Sequence, residues 1–219
     1  VAPFFMPEDS CLSLSLIMSI VAVQIAAGLS SRMRGPNKLL QEVGEGMSLI
    51  QHTYAQLITS SVDEVVIVIG RDADQVELSI SNCQLTTPKF VHNSQYEQGM
   101  TTSIQAGLKI AGDKDAVIIC LSDMPLLKAS DYDQLIDHFI HKGNNRSIVA
   151  PFRKGEKGNP VIFGSAYFQA ILEHQELNGC SEIIKQNKDR LIRYETDSDA
   201  YFYDIDTAKD LENYRKRAE

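Results

Sequence analysis

The stretch VAVQIAAGLSSRMRGPNK, residues 21–38, constrains this chain more than any other. It opens as an apolar run with β-branched Val21, Val23 and Ile25, which reads as a buried strand. It then passes directly into small residues, hydroxyls, Gly and Pro. Ala26, Ala27 and Gly28 carry little or no side chain, so the backbone there can come close to a ligand. Successive N–H groups in such a turn form an anion-binding concavity. Arg32 adds a planar fork of donors and Lys38 a mobile point charge. A strand feeding such a loop suits a nucleoside triphosphate. It is not a P-loop, because Leu39 rather than Ser or Thr follows Lys38. The G-x-G-x-x-G spacing of dinucleotide folds is absent as well.

Beyond the loop, strand and helix signals alternate. Extended chain is expected at 39–43, a helix capped by Ser48 over 48–60, strands over 64–70 and 89–92, and a short helix over 72–80. Gly99 permits a tight turn, and Thr101, Thr102 or Ser103 can cap the helix that follows. A strand over 115–121 leads into Ser122-Asp123-Met124-Pro125. Ser130 and Asp133 predict a capping box for a helix to about 141. Further strands are expected over 148–152, 161–164, 191–194 and 200–203, with helical pieces over 166–172 and 181–186. Thr207 and Asp210 form the capping-box pattern of a last helix. Strands that are apolar on both faces predict a parallel sheet covered by helices on each side, with ligands beyond the carboxyl ends of the strands.

Each strand end is therefore a candidate. Asp123, at the end of a buried strand and fixed before Pro125, is placed either to hold a divalent cation against phosphates or to cap a turn. The capping box accounts for Asp210 but not for Asp206. Arg153, Lys154 and Lys157 either attract an anion or merely solvate a turn.

Composition removes several function classes. The formal net charge is −8, with no basic run or basic-aromatic stripe, so nucleic acid is not expected as a partner. No apolar run reaches the length that spans a bilayer, so no membrane is expected either. Cys11, Cys83, Cys120 and Cys180 make no C-x-x-C pair, which fits reduced thiols in a cytoplasmic protein. Neither H-E-x-x-H nor G-x-S-x-G occurs. At 219 residues and 43% hydrophobic, one core is expected, in one domain over 18–219. Residues 1–17 imitate a signal segment but no Lys or Arg precedes their apolar part. They read as a disordered or loosely packed extension upstream of a natural start near Met18.

Four separated motifs, in order, resemble the molybdenum cofactor cytidylyltransferase-like (MobA/MocA-like) nucleotidyltransferase family. They are Ile25-Ala26-Ala27-Gly28-x-Ser30-x-Arg32-Met33 with Lys38, Asn93 with Gly99-Met100-x-x-Ser103, Leu121-Ser122-Asp123-Met124-Pro125, and Asp204-Ile205-Asp206-Thr207 with Asp210-Leu211. Lys157-Gly158-Asn159-Pro160 also resembles the family's segment on the acceptor side. Arg34 stands where the family usually has Gly, and Ala208 and Lys209 replace its Pro and Glu.

The resemblance implies a three-layer α/β/α Rossmann-like nucleotide-diphospho-sugar transferase fold, mostly parallel with one antiparallel strand. It implies nucleotide contacts from Ala26, Ala27, Gly28, Ser31, Arg32, Lys38, Gly99 and Ser103. Arg32, Lys38 and Asp123 would be catalytic. Asp123 and Asp206 would hold Mg²⁺ or Mn²⁺, and Gly158, Asn159 and Pro160 would face the acceptor. The Ala-Ala-Gly loop is similar to the cytidylyl branch, which implies CTP and a molybdopterin-type phosphate, with passing contact to a molybdenum hydroxylase. The alternatives are a sugar or polyol phosphate acceptor, GTP as donor, or a non-catalytic cofactor chaperone.

Overall fold

The computed structural model describes residues 18–30, 33, 35–83, 85–86 and 88–218. The expectations for residues 1–17, Ser31 and Arg32 lie outside the described residues. Eight strands form one sheet. Its order is β10 (Leu191–Glu195), β7 (Ile148–Arg153), β9 (Val161–Gly164), β6 (Ala116–Leu121), β1 (Ile20–Ala26), β4 (Glu64–Ile69), β5 (Lys89–His92). β9 runs antiparallel to both β6 and β7, and the two-residue β8 (Glu156–Lys157) folds back on β7 as a hairpin. All other pairings in the sheet are parallel.

Alternate residues of β1 point into different cores. Ile20, Ala22 and Ala26 join the core under α1 (Leu49–Ile58), α2 (Ala73–Ser81), α4 (Ala129–Lys142) and α7 (Ala208–Ala218). Val21, Val23 and Ala27 join the one under α3 (Met100–Ala111), α5 (Phe168–Glu173) and α6 (Ser181–Gln186). This is why the strand reads as a continuous apolar run. α3 lies so close to the sheet that a Cβ at Gly107 would stand 2.4 Å from Val23 Cγ1 and 2.8 Å from Val68 Cγ2. Both obstacles are stiff β-branched side chains. Gly107→Ala is expected to cost about 1–3 kcal/mol through overpacking. A lower urea midpoint with unchanged slope checks this.

Chain order fixes where a ligand can sit. From β1 the chain steps outward to β4 and β5, then crosses back to β6 on the other side of β1. The crevice of such a sheet opens at that reversal, beyond the carboxyl ends of β1 and β6. Ile25 pairs in register with Leu121, so the residues after both strands emerge side by side.

Several local expectations need correction. Residues 38–40 are a 3-10 turn, capped by the Asn37 side chain, which accepts from Leu39 N; β2 (Glu42–Gly44) and β3 (Met47–Ser48) form a small ribbon after it. α3 has no hydroxyl cap: Thr102 instead donates back to the carbonyls of Gln95 and Gly99. α4 starts at Ala129, and Asp131 accepts from Lys128 N (2.8 Å). Asp133 accepts from Ser61 N in a neighbouring turn. Residues 199–202 are a 3-10 turn and not a strand. The Tyr201 hydroxyl reaches the Asp131 carbonyl and its own carbonyl accepts from Asn159 N, tertiary bonds that override the β preference of an aromatic run.

Candidate active site

The loop after β1 is held from outside itself. The Arg71 guanidinium, just past β4, donates to the carbonyls of Leu29 and Gly35 and so ties its two limbs together. Ser30 takes a left-handed conformation (φ 50°), and its carbonyl accepts from Met33 N. This turn delivers Asn37 and then Lys38 to the crevice. Lys38 is 9% exposed. Its ammonium has three donors, and all are used. They go to Asp123 Oδ2 (2.7 Å), the Ile205 carbonyl (2.8 Å) and Asp206 Oδ1 (3.3 Å).

Asp206 arrives by two backbone devices. Ile205 N donates to the Asp123 carbonyl (2.9 Å), which sews residues 204–206 to the end of β6. The Thr207–Asp210 capping box then starts α7: Thr207 N donates to Asp210 Oδ2 (2.7 Å), and Asp210 N to Thr207 Oγ1 (3.2 Å). Those bonds, the Thr207 hydroxyl's first, hold the Asp210 carboxyl below the usual carboxylate range. Asp204 is pushed the other way, chiefly by burial and then by the charges of Asp123 and Asp206.

A cleft of about 270 Å³ opens over this cluster, lined by Gly28, Leu29, Ser30, Lys38, Met100, Ser122, Asp123 and Asp206 among others. A second hollow of about 240 Å³ continues from it past Ala27, Gly28, Tyr96, Gly99, Met100 and Ser103. Among the described residues no atom lies within 4 Å of a Cβ placed at Gly28, so they leave the space above that backbone open to a ligand. Gly99 has φ +114°, and a Cβ there would lie 2.6 Å from the Leu177 carbonyl, so only glycine fits this turn. Ser103 Oγ accepts from Asn93 Nδ2 (3.0 Å).

Of the residues expected in the site, Lys38 contacts both Asp123 and Asp206, and Ala27, Gly28, Gly99 and Ser103 line the adjoining space. Ala26 is fully buried in the core beneath. Asn159 lines a neighbouring cavity, whereas Gly158 and Pro160 are buried; a Cβ at Gly158 would press on the Tyr201 carbonyl at 2.4 Å. The sequence alone points to no role for Arg71, nor for Ser122 and Asp204, which stand in the motifs only as neighbours of the two acids. Ser122 is 2% exposed, lines the cleft, and its Oγ has no hydrogen-bond partner among the described residues.

The donor set suits a hard divalent cation. Asp123 lines the cleft; its Oδ2 is held by Lys38, and its buried Oδ1 has no hydrogen-bond partner among the described residues, which leaves one carboxylate oxygen unsatisfied at the cleft wall. Among the described residues no group of three or more His, Cys, Asp and Glu could form a metal cage. Mg²⁺ seldom needs one, since one or two carboxylates plus substrate phosphates complete its shell.

The mixed, mostly parallel sheet and the cleft at its reversal define an α/β nucleotidyltransferase fold. A nucleotidyl transferase from Methanothermobacter thermautotroptrophicus superposes with TM-score 0.78 at 21% identity, over 92% of this chain and 97% of that one. Rv0371C from Mycobacterium tuberculosis, solved with manganese, superposes with TM-score 0.73 at 16% identity, covering 91% and 99%. A CMP:2-keto-3-deoxy-manno-octonic acid synthetase complexed with CTP gives 0.70 at 14%, covering 91% and 98%. The pattern of the MobA-like NTP transferase domain matches residues 22–191, and the chain belongs to that family. Among curated relatives, the bifunctional protein GlmU of Acetivibrio thermocellus is 24% identical over 209 residues, 91% of this chain and 42% of that protein. The chain thus spans less than half the length of the curated relatives it matches first. Among the described residues no helix is long and apolar enough to cross a membrane.

Proposed function

We propose that this chain transfers a nucleoside monophosphate, CMP from CTP first, onto the phosphate of a molybdopterin-type cofactor and releases pyrophosphate. The observation that carries the reading is the meeting of Lys38, Asp123 and Asp206 at the reversal of the sheet, under an open glycine-lined cleft. The triphosphate would lie along the loop after β1, with its nucleoside toward Gly99 and Ser103. An ionised phosphate oxygen of the acceptor attacks the α-phosphorus. The new P–O bond forms as the bridge to the β-phosphate breaks, and pyrophosphate leaves with the electron pair. No general base is required, because the nucleophile is already deprotonated. That agrees with a cleft whose described lining includes neither His nor Cys. Asp123 and Asp206 would hold Mg²⁺ or Mn²⁺, which when bound neutralises phosphate oxygens. The chain's own task is to hold two anions in line, which can supply much of the rate.

The choice of CTP and of molybdopterin rests on the likeness of Ala26-Ala27-Gly28 to the cytidylyl branch. The CTP held by a protein of the same fold supports the nucleotide. That protein's name specifies a sugar acid, so a sugar or polyol phosphate acceptor is the second reading. A reading as a non-catalytic chaperone does not account for three charged side chains collected at one strand end. A cytoplasmic location, and delivery of the product to a molybdenum hydroxylase, belong to the same proposal. Pyrophosphate release is to be measured with CTP, GTP and ATP, with Mg²⁺, against molybdopterin and a set of sugar phosphates. Fastest release with CTP and molybdopterin is expected. Release with a sugar phosphate and none with molybdopterin would overturn the acceptor assignment.

A further inference from the structure

Beside the cleft is a smaller cavity of about 60 Å³. Its walls combine apolar Ile104, Val161 and Ile184 with polar Asn159, Asn178 and Ser181, and it shares Met100 and Leu121 with the cleft itself. Into it come Lys157 from β8 and the Cys180 thiol. Lys157 is half-buried, and its ammonium donates to the neighbouring Gly158 carbonyl at 3.2 Å. Among the described residues no carboxylate is within ion-pair reach of it. Burial pushes the Cys180 thiol up to about 12, so the thiol supplies no counter-charge. Loss of hydration holds Lys157 below the ordinary lysine range.

The contrast with Lys38 is instructive. That ammonium is also buried, but two carboxylates and a carbonyl surround it. A solvated turn residue would put Lys157 into water, as its neighbours Lys154 and Glu156 are. Instead its charge is half-buried in a slot with one carbonyl acceptor and no counter-charge, an arrangement that disfavours the free protein unless something else supplies a negative group. The cavity is several times the roughly 10–15 Å³ that a single water needs, which leaves room for one small anionic group.

We propose that this slot is an anion socket for the acceptor, with Lys157 as the counter-charge to a phosphate monoester. The inference rests on the transferase reading, because the shared Met100–Leu121 wall is what sets the socket next to the nucleotide. Lys157 is then a specificity-determining residue: it favours acceptors that bring an anion into the slot over neutral ones.

Inorganic phosphate is the probe. It is titrated into the ¹³C-lysine-labelled protein, and the ε-carbon resonance of Lys157, assigned by its loss in Lys157→Arg, is followed. A saturable shift is expected. In Lys157→Met, calorimetric phosphate affinity measured with the first cleft filled by Mg²⁺ and a non-hydrolysable CTP analogue should fall about tenfold or more, while analogue affinity stays within about twofold. The Tm of Lys157→Met should hold or rise, since an uncompensated charge is removed. No shift at Lys157 overturns the socket. A lower Tm with unchanged phosphate affinity also overturns it, making Lys157 a packing residue. The titration without nucleotide decides the socket by itself. Failure of the analogue to bind wild-type protein would instead count against the transferase reading.

Discussion

Asp123→Ala is expected to reduce pyrophosphate release by about 10³-fold, the upper end of what loss of one preorganised electrostatic group costs. The carboxylate has two oxygens with different tasks. Oδ2 accepts from Lys38 at 2.7 Å, which fixes the side chain. Oδ1 is buried without a hydrogen-bond partner among the described residues and is the oxygen a cation would satisfy. The substitution removes both, yet Lys38 keeps the Ile205 carbonyl and Asp206 as acceptors. The fold should therefore survive, with little change in Tm. Asp123→Asn keeps the shape and loses the charge, so it should lose Mg²⁺-dependent CTP binding as fully as the alanine variant. Turnover, Tm and Mg²⁺-dependent CTP affinity, measured on the same preparations, check the assignment. Retention of pyrophosphate release in a well-folded Asp123→Ala protein would remove Asp123 from the cation site.

The sequence disclosed the strands better than the site. β1, β4 and β6 are buried on both faces, and that leaves an apolar signal, interrupted in β1 only by buried Gln24, which needs no knowledge of neighbours. The Thr207–Asp210 box was likewise local, and by accounting for Asp210 it singled out Asp206 as an acid without a structural task in the sequence. What spacing alone could not reveal is that Asp206 meets a lysine 168 residues earlier. Only resemblance suggested it, and the physical agent is the Ile205 N to Asp123 carbonyl bond. Arg71 left no trace, since its partners are backbone carbonyls of a loop 36 to 42 residues earlier. Residues 200–203 misled, because three consecutive aromatic residues suit a strand while tertiary hydrogen bonds at Tyr201 demand a turn. For Lys157 the sequence leaves solvated turn and anion contact open, and its half-burial beside the cleft is information that no local pattern carries.

Lys38→Met is expected to lower stability in the absence of metal by about 3 kcal/mol, which for a chain of this size is roughly 10 °C in Tm. Methionine matches the length of the lysine stem, so the loss is electrostatic rather than a cavity. The Lys38 side chain is 11% exposed and that of Asp123 19%. Without the ammonium, Asp123 and Asp206 lose the cation they share, with Asp204 already pushed up partly by their charges. Mg²⁺ would supply the missing charge to the same two acids. Its stabilisation grows as the logarithm of concentration over Kd, so Tm should rise more steeply with Mg²⁺ in Lys38→Met than in the wild type. Turnover should nonetheless fall, because the ammonium that orients Asp123 is gone. A lysine that served the triphosphate alone would behave differently. Its loss would weaken CTP binding and leave the metal-free, nucleotide-free Tm where it was. Thermal melts of both proteins across a Mg²⁺ series, without nucleotide, separate these two roles. Coincident melting curves would mean that Lys38 is not what holds the acids together.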